Sequence, residues 1–269
     1  MISLLRHILP LALAATAATA AAQAPASVFI DDLTWTELRD QIRAGKTTII
    51  VPIGGTEQNG PHMTLGKHNV RAKALSEKIA LELGNALVAP VIAYVPEGSI
   101  DLPSAHMRFP GTVTIPDAAF ESLLASAARS FKLHGFRDIV FLGDHGGYQK
   151  DEIAVAARLN REWRATPVRA HAIVEYYRAA ETLFSEALRR AGFRDDEIGA
   201  HAGLADTSLS LALDPRLVRT ELLKTDIRLG SGDGVRGDPH RASAELGRLG
   251  VDAIVRETVG AIRKASQRR

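Results

Sequence analysis

The chain has 269 residues, of which 46% are hydrophobic and 24% are charged; this composition argues against wholesale disorder and suits one large α/β domain or two small ones. Its 33 Lys and Arg residues and 31 Asp and Glu residues leave a formal charge of +2, so we expect no nucleic-acid partner. Cysteine is absent, which excludes disulfides and thiolate chemistry and restricts any metal to His, Asp, Glu or Asn ligands.

The first 24 residues show the three-part pattern of a secretory signal peptide. A short basic start is followed by an apolar run over residues 8–15 and by an alanine-rich stretch that ends at Ala24. The apolar run is shorter than the roughly 20 residues of a membrane-spanning helix, which makes a retained anchor the weaker alternative. We therefore expect residues 1–24 to be cleaved and residues 25–269 to form a single domain. The mature protein is expected to be periplasmic or secreted, without stable membrane insertion.

Strand-like and helix-like segments alternate along the rest of the chain. The predicted strands are 47–53, 86–95, 137–142 and 168–174. The predicted helices are 70–83, 117–134, 149–163, 176–191, 207–213 and 242–262. This alternation predicts a mainly parallel sheet with helices on both faces, which is a three-layer α/β/α fold.

Polar loops follow two of the predicted strands. Residues 54–69 follow the first strand and residues 143–148 follow the third, and both loops are rich in Gly and His. In open parallel sheets, ligands bind outside the carboxyl ends of the strands because the loops diverge there. Surface turns have a similar composition, so either loop alone is weak evidence. Two such loops with metal-binding side chains together predict a metal site at this edge of the sheet.

Five short motifs lie in these loops and in later segments. They are PIGGTEQNGPHMTLGKH at 52–68, HMRFPGT at 106–112, GDHGGY at 143–148, HAGLADTS at 201–208 and GVRGDP at 234–239. In this order they resemble motifs of the creatininase (creatinine amidohydrolase) family, whose first motif typically reads Pro-Val-Gly-x-x-Glu-Gln-His-Gly-Pro-His-Leu-Pro-Leu-x-x-Asp. The resemblance spans nearly the whole mature chain.

The resemblance implies a creatininase-like fold and a metal-dependent amidohydrolase. Such an enzyme cleaves a C–N bond of a small linear or cyclic amide through a metal-activated water. Members of the family commonly hold two divalent ions and often form hexamers, so we expect a homo-oligomer. An alternative stays open at this point: a family member with altered ligands could bind a metal or a small ligand without turnover.

The resemblance also places individual residues. Glu57 and His145 stand at metal-ligand positions, whereas His68 replaces a bridging aspartate and Asn59 replaces a histidine ligand. An imidazole offers one lone pair and an amide oxygen is a weak ligand for zinc-like metals. Gly147 stands where creatininase has a glutamate for its second ion. We therefore expect one divalent ion, Zn²⁺, Fe²⁺ or Mn²⁺, rather than two, held by Glu57, His68 and His145.

Further roles follow from the same resemblance. His201 corresponds to a histidine that moves protons or holds substrate, a role that suits an imidazole. Asp206 replaces a glutamate and is expected to be the fourth ligand or a general base. The residues expected to contact substrate or to support the ligands are Asn59, His106, Asp144 and Tyr148.

Several of these assignments have a structural alternative. Glu57 could accept hydrogen bonds from backbone amides, and His68 could hydrogen-bond within the start of the following helix. Asp206 could act only as a helix cap, and Asn59 is a common turn residue. A structural role is favoured over ligation for His62, His134 and His171.

Overall fold

The central feature of the fold is a four-stranded parallel sheet. The structure, a computed structural model, describes residues 27–225 and 227–267. The strands are β1 (Thr48–Ile53), β2 (Ala86–Val88), β3 (Asp138–Gly143) and β4 (Arg169–Ala172). They lie in the order β2-β1-β3-β4, and Ile53 pairs with Gly143 at the carboxyl ends of the two central strands. The predicted signal peptide, residues 1–24, lies outside the described residues.

Helices connect the strands and cover the sheet. They are α1 (Trp35–Arg43), α2 (Lys67–Leu83), α3 (Asp117–Leu133), α4 (Gln149–Glu162), α5 (Glu175–Ala179), α6 (Ser185–Arg190), α7 (Asp195–Ile198), α8 (Leu204–Leu213) and α9 (Ala244–Gln267). A π-helix, Ala180–Phe184, joins α5 to α6. Over residues 27–225 and 227–267, no helix combines the length and the apolar character that crossing a membrane requires.

Side chains of the central strands alternate between two hydrophobic cores. Ile50 and Val140 pack in the core that α2, α5, α8 and α9 complete. Ile49 and Phe141 pack in the core that α3 and α4 complete. Every residue of β1 and β3 is buried, because helices cover both faces of the sheet. The predicted three-layer α/β/α fold with a mainly parallel sheet is confirmed.

The second strand is shorter than the predicted segment 86–95. Regular pairing with β1 ends at Val88, and Pro90 follows, which has no N–H to donate to a neighbouring strand. Pairing resumes at Ile92, whose N–H donates to the Pro52 carbonyl (3.0 Å) and whose carbonyl accepts from Gly54 (2.9 Å). The chain therefore continues beside β1 as far as the edge of the sheet where β1 ends.

Helix boundaries also differ from the predicted ones. Helix α2 begins at Lys67, one turn before the predicted start, and α8 begins at Leu204, so that Asp206 lies inside its first turn. Helix α1 was not among the predicted elements, although the sequence carries its signal. Thr34 and Glu37 form a capping box in which each side chain accepts a hydrogen bond from the other residue's backbone N–H.

The contact between α8 and α9 depends on a glycine. A Cβ at Gly247 would overlap the backbone oxygen of Ser208 on α8, so only a residue without a side chain permits this approach. One turn further along α9, a Cβ at Gly250 would come within 2.8 Å of the Phe184 ring. The two glycines therefore set the distance between α9 and the elements that it covers.

We expect Gly247→Ala to lower the free energy of unfolding by about 1–3 kcal/mol, because the added methyl group forces α8 and α9 apart. Gly260→Ala on the same helix is the matched control, since no atom of the described residues lies within 4 Å of its added Cβ. That variant is expected to gain about 0.5–1 kcal/mol from helix propensity. Urea unfolding followed by circular dichroism measures both, and a stabilised Gly247→Ala protein would contradict the packing argument.

Candidate metal centre

The candidate site lies where the two central strands end. The loop after β1 carries Glu57, and the loop after β3 carries His145. The first turn of α2 carries His68, a 3₁₀ turn carries His106, and the segment before α8 carries His201. Five separate parts of the chain thus converge at the edge of the sheet where loops diverge and leave space for a ligand.

Glu57 is at the centre of this cluster, and its side chain is completely buried. Its Oε1 atom lies 2.8 Å from His68 Nε2 and 3.8 Å from His201 Nδ1. Its Oε2 atom lies 3.3 Å from His106 Nε2 and 3.5 Å from His145 Nε2. Within the described part of the chain, Oε2 has no hydrogen-bond partner. A buried carboxylate oxygen without a partner is costly unless a proton or a cation meets it.

Glu97 is a second buried carboxylate that faces the same cluster. It lies on the segment that continues β2 beside β1, and its backbone N–H donates to Thr114 Oγ1 (2.9 Å). Neither of its carboxylate oxygens has a hydrogen-bond partner among the described residues. Its Oε2 atom lies 3.8 Å from His145 Nδ1. Glu97 is not among the residues predicted from the sequence, because a single glutamate between Pro96 and Gly98 carries no recognisable spacing.

His68 lies between two carboxylates. Its Nε2 atom is 2.8 Å from Glu57 Oε1, and its Nδ1 atom is 2.6 Å from Asp144 Oδ2. Burial and the charge of Lys67 oppose protonation, but the hydrogen bonds to Asp144 and Glu57 outweigh them and raise the pKa of His68. A doubly protonated imidazole has no lone pair for a metal. Ligation by His68 stays a prediction, and these contacts favour a role in orienting Glu57.

Asp144 belongs to the support of His68 and not to that of His145. One of its carboxylate oxygens accepts the hydrogen bond from His68, and the other accepts from the Tyr176 hydroxyl (2.7 Å). The Arg71 guanidinium lies 3.2 Å from Asp144 Oδ2. Burial raises the pKa of Asp144, but the charges of Arg71 and His68 outweigh it and lower the pKa below its ordinary value.

The other three imidazoles of the cluster are neutral at physiological pH. Burial lowers the pKa of His145 to about 4 and that of His201 to about 3. Burial also lowers the pKa of His106. A neutral imidazole keeps one unprotonated nitrogen, which is the form that binds a metal or accepts a proton.

The two buried glutamates are shifted in opposite directions. Burial raises the pKa of Glu57, but the hydrogen bond and charge of His68 outweigh it and hold the pKa far below its ordinary range. Burial and the negative charge of Glu57 raise the pKa of Glu97 to about 9. Two carboxylates this close do not both ionise readily unless a cation lies between them.

Gln58 fixes the orientation of two of the imidazoles. Its Oε1 atom accepts from the Gly60 N–H (2.9 Å) and its Nε2 donates to the Gly234 carbonyl (3.1 Å), which sets the direction of the amide. The Gln58 Nε2 atom also lies 2.9 Å from His106 Nδ1. Because the amide nitrogen of Gln58 donates, His106 Nδ1 accepts, and the proton of the neutral His106 ring is on its own Nε2 atom. His201 Nε2 lies 3.0 Å from the Gln58 carbonyl and donates to it. The His201 Nδ1 lone pair is therefore left facing the central carboxylate.

Asp206 is held by two buried cations. Its Oδ2 atom lies 2.8 Å from Lys67 Nζ and accepts the Ala202 N–H (2.8 Å), and its Oδ1 lies 2.7 Å from Arg71 Nη1. Burial raises the pKa of Asp206, but the charges of Lys67 and Arg71 outweigh it and hold the pKa well below its ordinary value. Its role as ligand or general base stays a prediction, and its contacts favour a structural ion pair.

Asn59 and Tyr148 form hydrogen bonds with the backbone of the loops that carry Glu57 and His145. The Asn59 side-chain amide donates to two backbone carbonyls, one of them that of Glu57 (2.9 Å), and its Oδ1 atom is buried without a partner in the described structure. The Tyr148 hydroxyl lies 2.5 Å from the Gly54 carbonyl and accepts from the His145 N–H (3.2 Å). Both side chains are fully buried, which favours a supporting role over contact with substrate.

The remaining predicted histidines have separate positions. His62 is buried and its Nε2 atom lies 3.0 Å from Thr207 Oγ1. His171 lies on β4 and hydrogen-bonds to Asp138 (2.9 Å). His134 caps the carboxyl end of α3 and is exposed. The structure brings none of these three into the groups of potential metal ligands among the described residues.

A cavity opens beside the imidazole cluster. The residues that line it include four imidazoles, those of His68, His106, His145 and His201. Tyr177 from α5 and Glu181 from the π-helix also line it. A π-turn inside a helix is often found at functional sites, because it moves side chains out of the regular helical register. The cavity therefore gives a small molecule access to the cluster.

The cluster fits a divalent cation. Two groups of potential ligands are present in the described residues, and they share Glu57: one adds His106 and His201, and the other adds Glu97 and His145. Carboxylate oxygens and imidazole nitrogens are the mixture that Zn²⁺, Fe²⁺ and Mn²⁺ accept. The unpartnered oxygens of Glu57 and Glu97 are the atoms that a cation would satisfy.

Comparison with known proteins identifies a family that the chain matches. A family model described as Creatininase, creatinine amidohydrolase, matches residues 31–262 of the chain. The chain is 27% identical to the creatinine amidohydrolase of Pseudomonas putida, with 88% of this chain and 97% of that protein aligned. It is 31% identical to the mycofactocin precursor peptide peptidase of Mycolicibacterium smegmatis, with 77% and 81% aligned.

Another relative is longer than the chain. The 3-dehydro-scyllo-inosose hydrolase of Thermotoga maritima is 28% identical, and the alignment covers 73% of this chain but 60% of that protein. Among solved structures, creatinine amidohydrolase (creatininase) superposes with a TM-score of 0.74 at 26% identity, over 89% of this chain and 98% of that one. A structure described as Creatininase Mn superposes with a TM-score of 0.69 at 26% identity, over the same shares.

We expect Asp206→Asn to lower the free energy of unfolding by about 3–5 kcal/mol, because Lys67 would stay buried without its anionic partner. Asp40→Asn is the control, since Asp40 pairs with Arg39 at the surface and its loss should leave stability unchanged. Urea unfolding measures both variants. A stable Asp206→Asn protein that has lost only its activity would instead favour the predicted role of Asp206 as ligand or base.

Proposed function

The chain belongs to the creatininase family, and we propose that it is an exported, metal-dependent amidohydrolase of that family. It cleaves a C–N bond of a small linear or cyclic amide. The observation that carries this proposal is the buried Glu57 carboxylate, with one unpartnered oxygen and four surrounding imidazoles, beside a cavity at the edge of the sheet. Neutral imidazoles and carboxylates are groups that bind the divalent ion of a metal-dependent hydrolase.

Glu57 would hold the ion together with neighbours from one of the two ligand groups. When bound, a divalent cation polarises the amide carbonyl and makes a water molecule more acidic. We propose one ion, Zn²⁺, Fe²⁺ or Mn²⁺, rather than two. The reason is that His68 already hydrogen-bonds Oε1 of Glu57, which leaves Oε2 as the carboxylate oxygen without a partner.

His201 is the residue that we assign to proton transfer. Hydrolysis of an amide adds water to the carbonyl carbon and must deliver a proton to the leaving nitrogen. His201 lines the cavity, is neutral, and has its Nδ1 lone pair on the side of Glu57, so it can accept a proton from water and return it to the leaving group. Gln58 holds the ring in this tautomer through its backbone carbonyl.

Export and assembly belong to the same proposal. The basic, apolar and alanine-rich parts of residues 1–24 support export to the periplasm or the medium. The resemblance to the family supports a homo-oligomer. Exposed apolar side chains in the segment before His106, Ile100 (69% exposed) and Leu102 (82% exposed), are suited to contact a second copy of the chain.

A second candidate function is a family member that holds an ion or a small ligand without turnover. The contacts of Asp206 favour it, because Lys67, Arg71 and a backbone N–H already occupy the carboxylate that replaces a family glutamate. The two candidates always differ in turnover, and they differ in metal content when the second holds a small ligand instead of an ion, so both measurements are needed to separate them.

We expect the mature protein, after treatment with a chelator, to hydrolyse no member of a panel of linear amides and lactams until Zn²⁺ or Mn²⁺ is restored. His201→Ala is expected to lower kcat roughly 10²–10⁴-fold, the contribution of a general acid–base group. Its control is His134→Ala, an exposed histidine at the end of α3. Release of amine or ammonia from each substrate gives the rate.

Bound metal with no turnover on the whole panel would favour the second candidate. Mature protein that binds no divalent ion under any condition would contradict the first candidate and would leave only the small-ligand form of the second.

We expect cells that produce the full chain to release it into the periplasm after cleavage behind Ala22 or Ala24. Mass spectrometry of the periplasmic protein identifies the new amino terminus. A variant without the apolar run, residues 8–15, should stay uncleaved in the cytoplasm, because that run is what the export machinery binds. Recovery of the full-length chain from the membrane fraction would instead favour a retained anchor.

A further inference from the structure

Glu97 is a buried carboxylate that lies outside the five motifs shared with the family. Its side chain is 0% exposed, and both of its oxygens lack hydrogen-bond partners in the part of the chain that the structure describes. Its Oε2 atom lies 3.8 Å from His145 Nδ1, and its carboxylate faces that of Glu57. Buried acidic side chains are normally paired or bound to a metal. Glu97 therefore requires either a cation or a proton shared with Glu57, the carboxylate that it faces.

Hydrogen bonds to Thr114 and Ile115 hold the segment around Glu97 in place. The Glu97 N–H donates to Thr114 Oγ1 (2.9 Å), and the carbonyl of Val95 accepts from the Ile115 N–H (3.2 Å). Before this point, Ile92 pairs with β1, so the segment is anchored along the sheet as far as its edge. A carboxylate on such a fixed segment is preorganised and does not swing freely in a loop.

Gly55 leaves the space that the Glu97 side chain occupies. It has φ of +146°, a conformation that residues with a Cβ rarely adopt. A Cβ at this position would come within 2.8 Å of Glu97 Oε1 and within 3.1 Å of the Val95 side chain. The turn after β1 is therefore shaped around the Glu97 carboxylate, which then faces Glu57 and His145.

Gly147 lies near both His145 and the Glu97 segment. A Cβ at Gly147 would come within 3.0 Å of the His145 ring and 3.7 Å of the carbonyl oxygen of Pro96, the residue before Glu97. The position where creatininase carries a glutamate and the segment that carries Glu97 thus approach the same imidazole. The first position is a glycine in this chain and has no carboxylate, whereas the second segment supplies the carboxylate of Glu97.

The other ligand group is less suited to hold the ion. His106 and His201 in that group are neutral, so Glu57 supplies its only negative charge. Glu97 instead presents two unpartnered carboxylate oxygens, and together with Glu57 it provides the negative charge that a divalent cation requires.

We propose that Glu97 is a ligand of the metal ion, together with Glu57 and His145, and that it replaces the carboxylate absent at Gly147. This inference rests on the proposed function, because it assigns a ligand to the ion on which that function depends. The competing explanation is a proton shared between Glu57 and Glu97, which would satisfy the same oxygens without any metal.

Metal titration of the mature, metal-free protein tests the assignment. We expect the wild-type protein to bind about one equivalent of Zn²⁺ or Mn²⁺ in isothermal titration calorimetry with a competing chelator. Glu97→Gln, which keeps the shape and removes the charge, is expected to weaken binding more than about 100-fold. Loss of a group that only supports a ligand typically weakens binding 10–100-fold. X-ray absorption on the zinc-loaded proteins should show one oxygen ligand fewer in the variant.

Two variants serve as controls. Glu162→Gln makes the same change at an exposed glutamate paired with Arg129, and its metal affinity should equal that of the wild type. The double variant Glu97→Gln with Gly147→Glu restores a carboxylate from the loop after β3, and we expect it to regain metal affinity. If Glu97→Gln does not fold, Glu97→Asp is titrated instead. Its shorter carboxylate should weaken binding by about tenfold or more.

The outcomes separate this inference from the proposed function. Wild-type affinity in Glu97→Gln, or in Glu97→Asp where that variant is used, would overturn the ligand assignment and favour a shared proton, while the metal-dependent hydrolase would stand. Absence of metal binding by the wild-type protein would overturn the proposed function itself.

Discussion

The hydrogen bond between Glu57 and His68 is the interaction on which the site depends. It joins the loop after β1 to the first turn of α2, and the contact of His68 with Asp144 extends it to the loop after β3. An imidazolium between two carboxylates keeps both of them ionised in a buried environment. It also orients Glu57, so that one oxygen is occupied and the other faces the neutral imidazoles. The geometry of the whole cluster follows from this arrangement.

Around this hydrogen bond, the chain carries side chains that differ in chemistry from those at the corresponding positions of the creatininase family. A cationic histidine stands where the family has a bridging aspartate, and Asp206 forms ion pairs with Lys67 and Arg71. Removing a bridging carboxylate takes away the group best able to hold two ions at once. These buried charges support the proposal that this member of the family holds one ion.

Much of the fold could be predicted because short stretches of sequence determine the individual strands and helices. Six consecutive buried residues in β1 and in β3 reflect a strand covered on both faces, and the apolar run records this directly in the sequence. The extent of β2 could not be predicted in the same way. Apolar residues continue past Pro90, but whether a strand pairs there depends on hydrogen bonds to β1 and not on hydropathy. Helix α1 was missed although Thr34 and Glu37 carry its capping signal.

The sequence by itself determined the fold class, the family and the edge of the sheet where the site lies, because apolar periodicity and motif order are properties of the linear chain. It also identified Glu57, His145 and His201 as members of the cluster. Only the tertiary structure decided what each side chain contacts. The partners of His68, the lack of partners for Glu97 and the tautomers set by Gln58 depend on contacts between segments distant in the chain. Protonation and ligation depend on such distances and on burial, which no spacing along the sequence records.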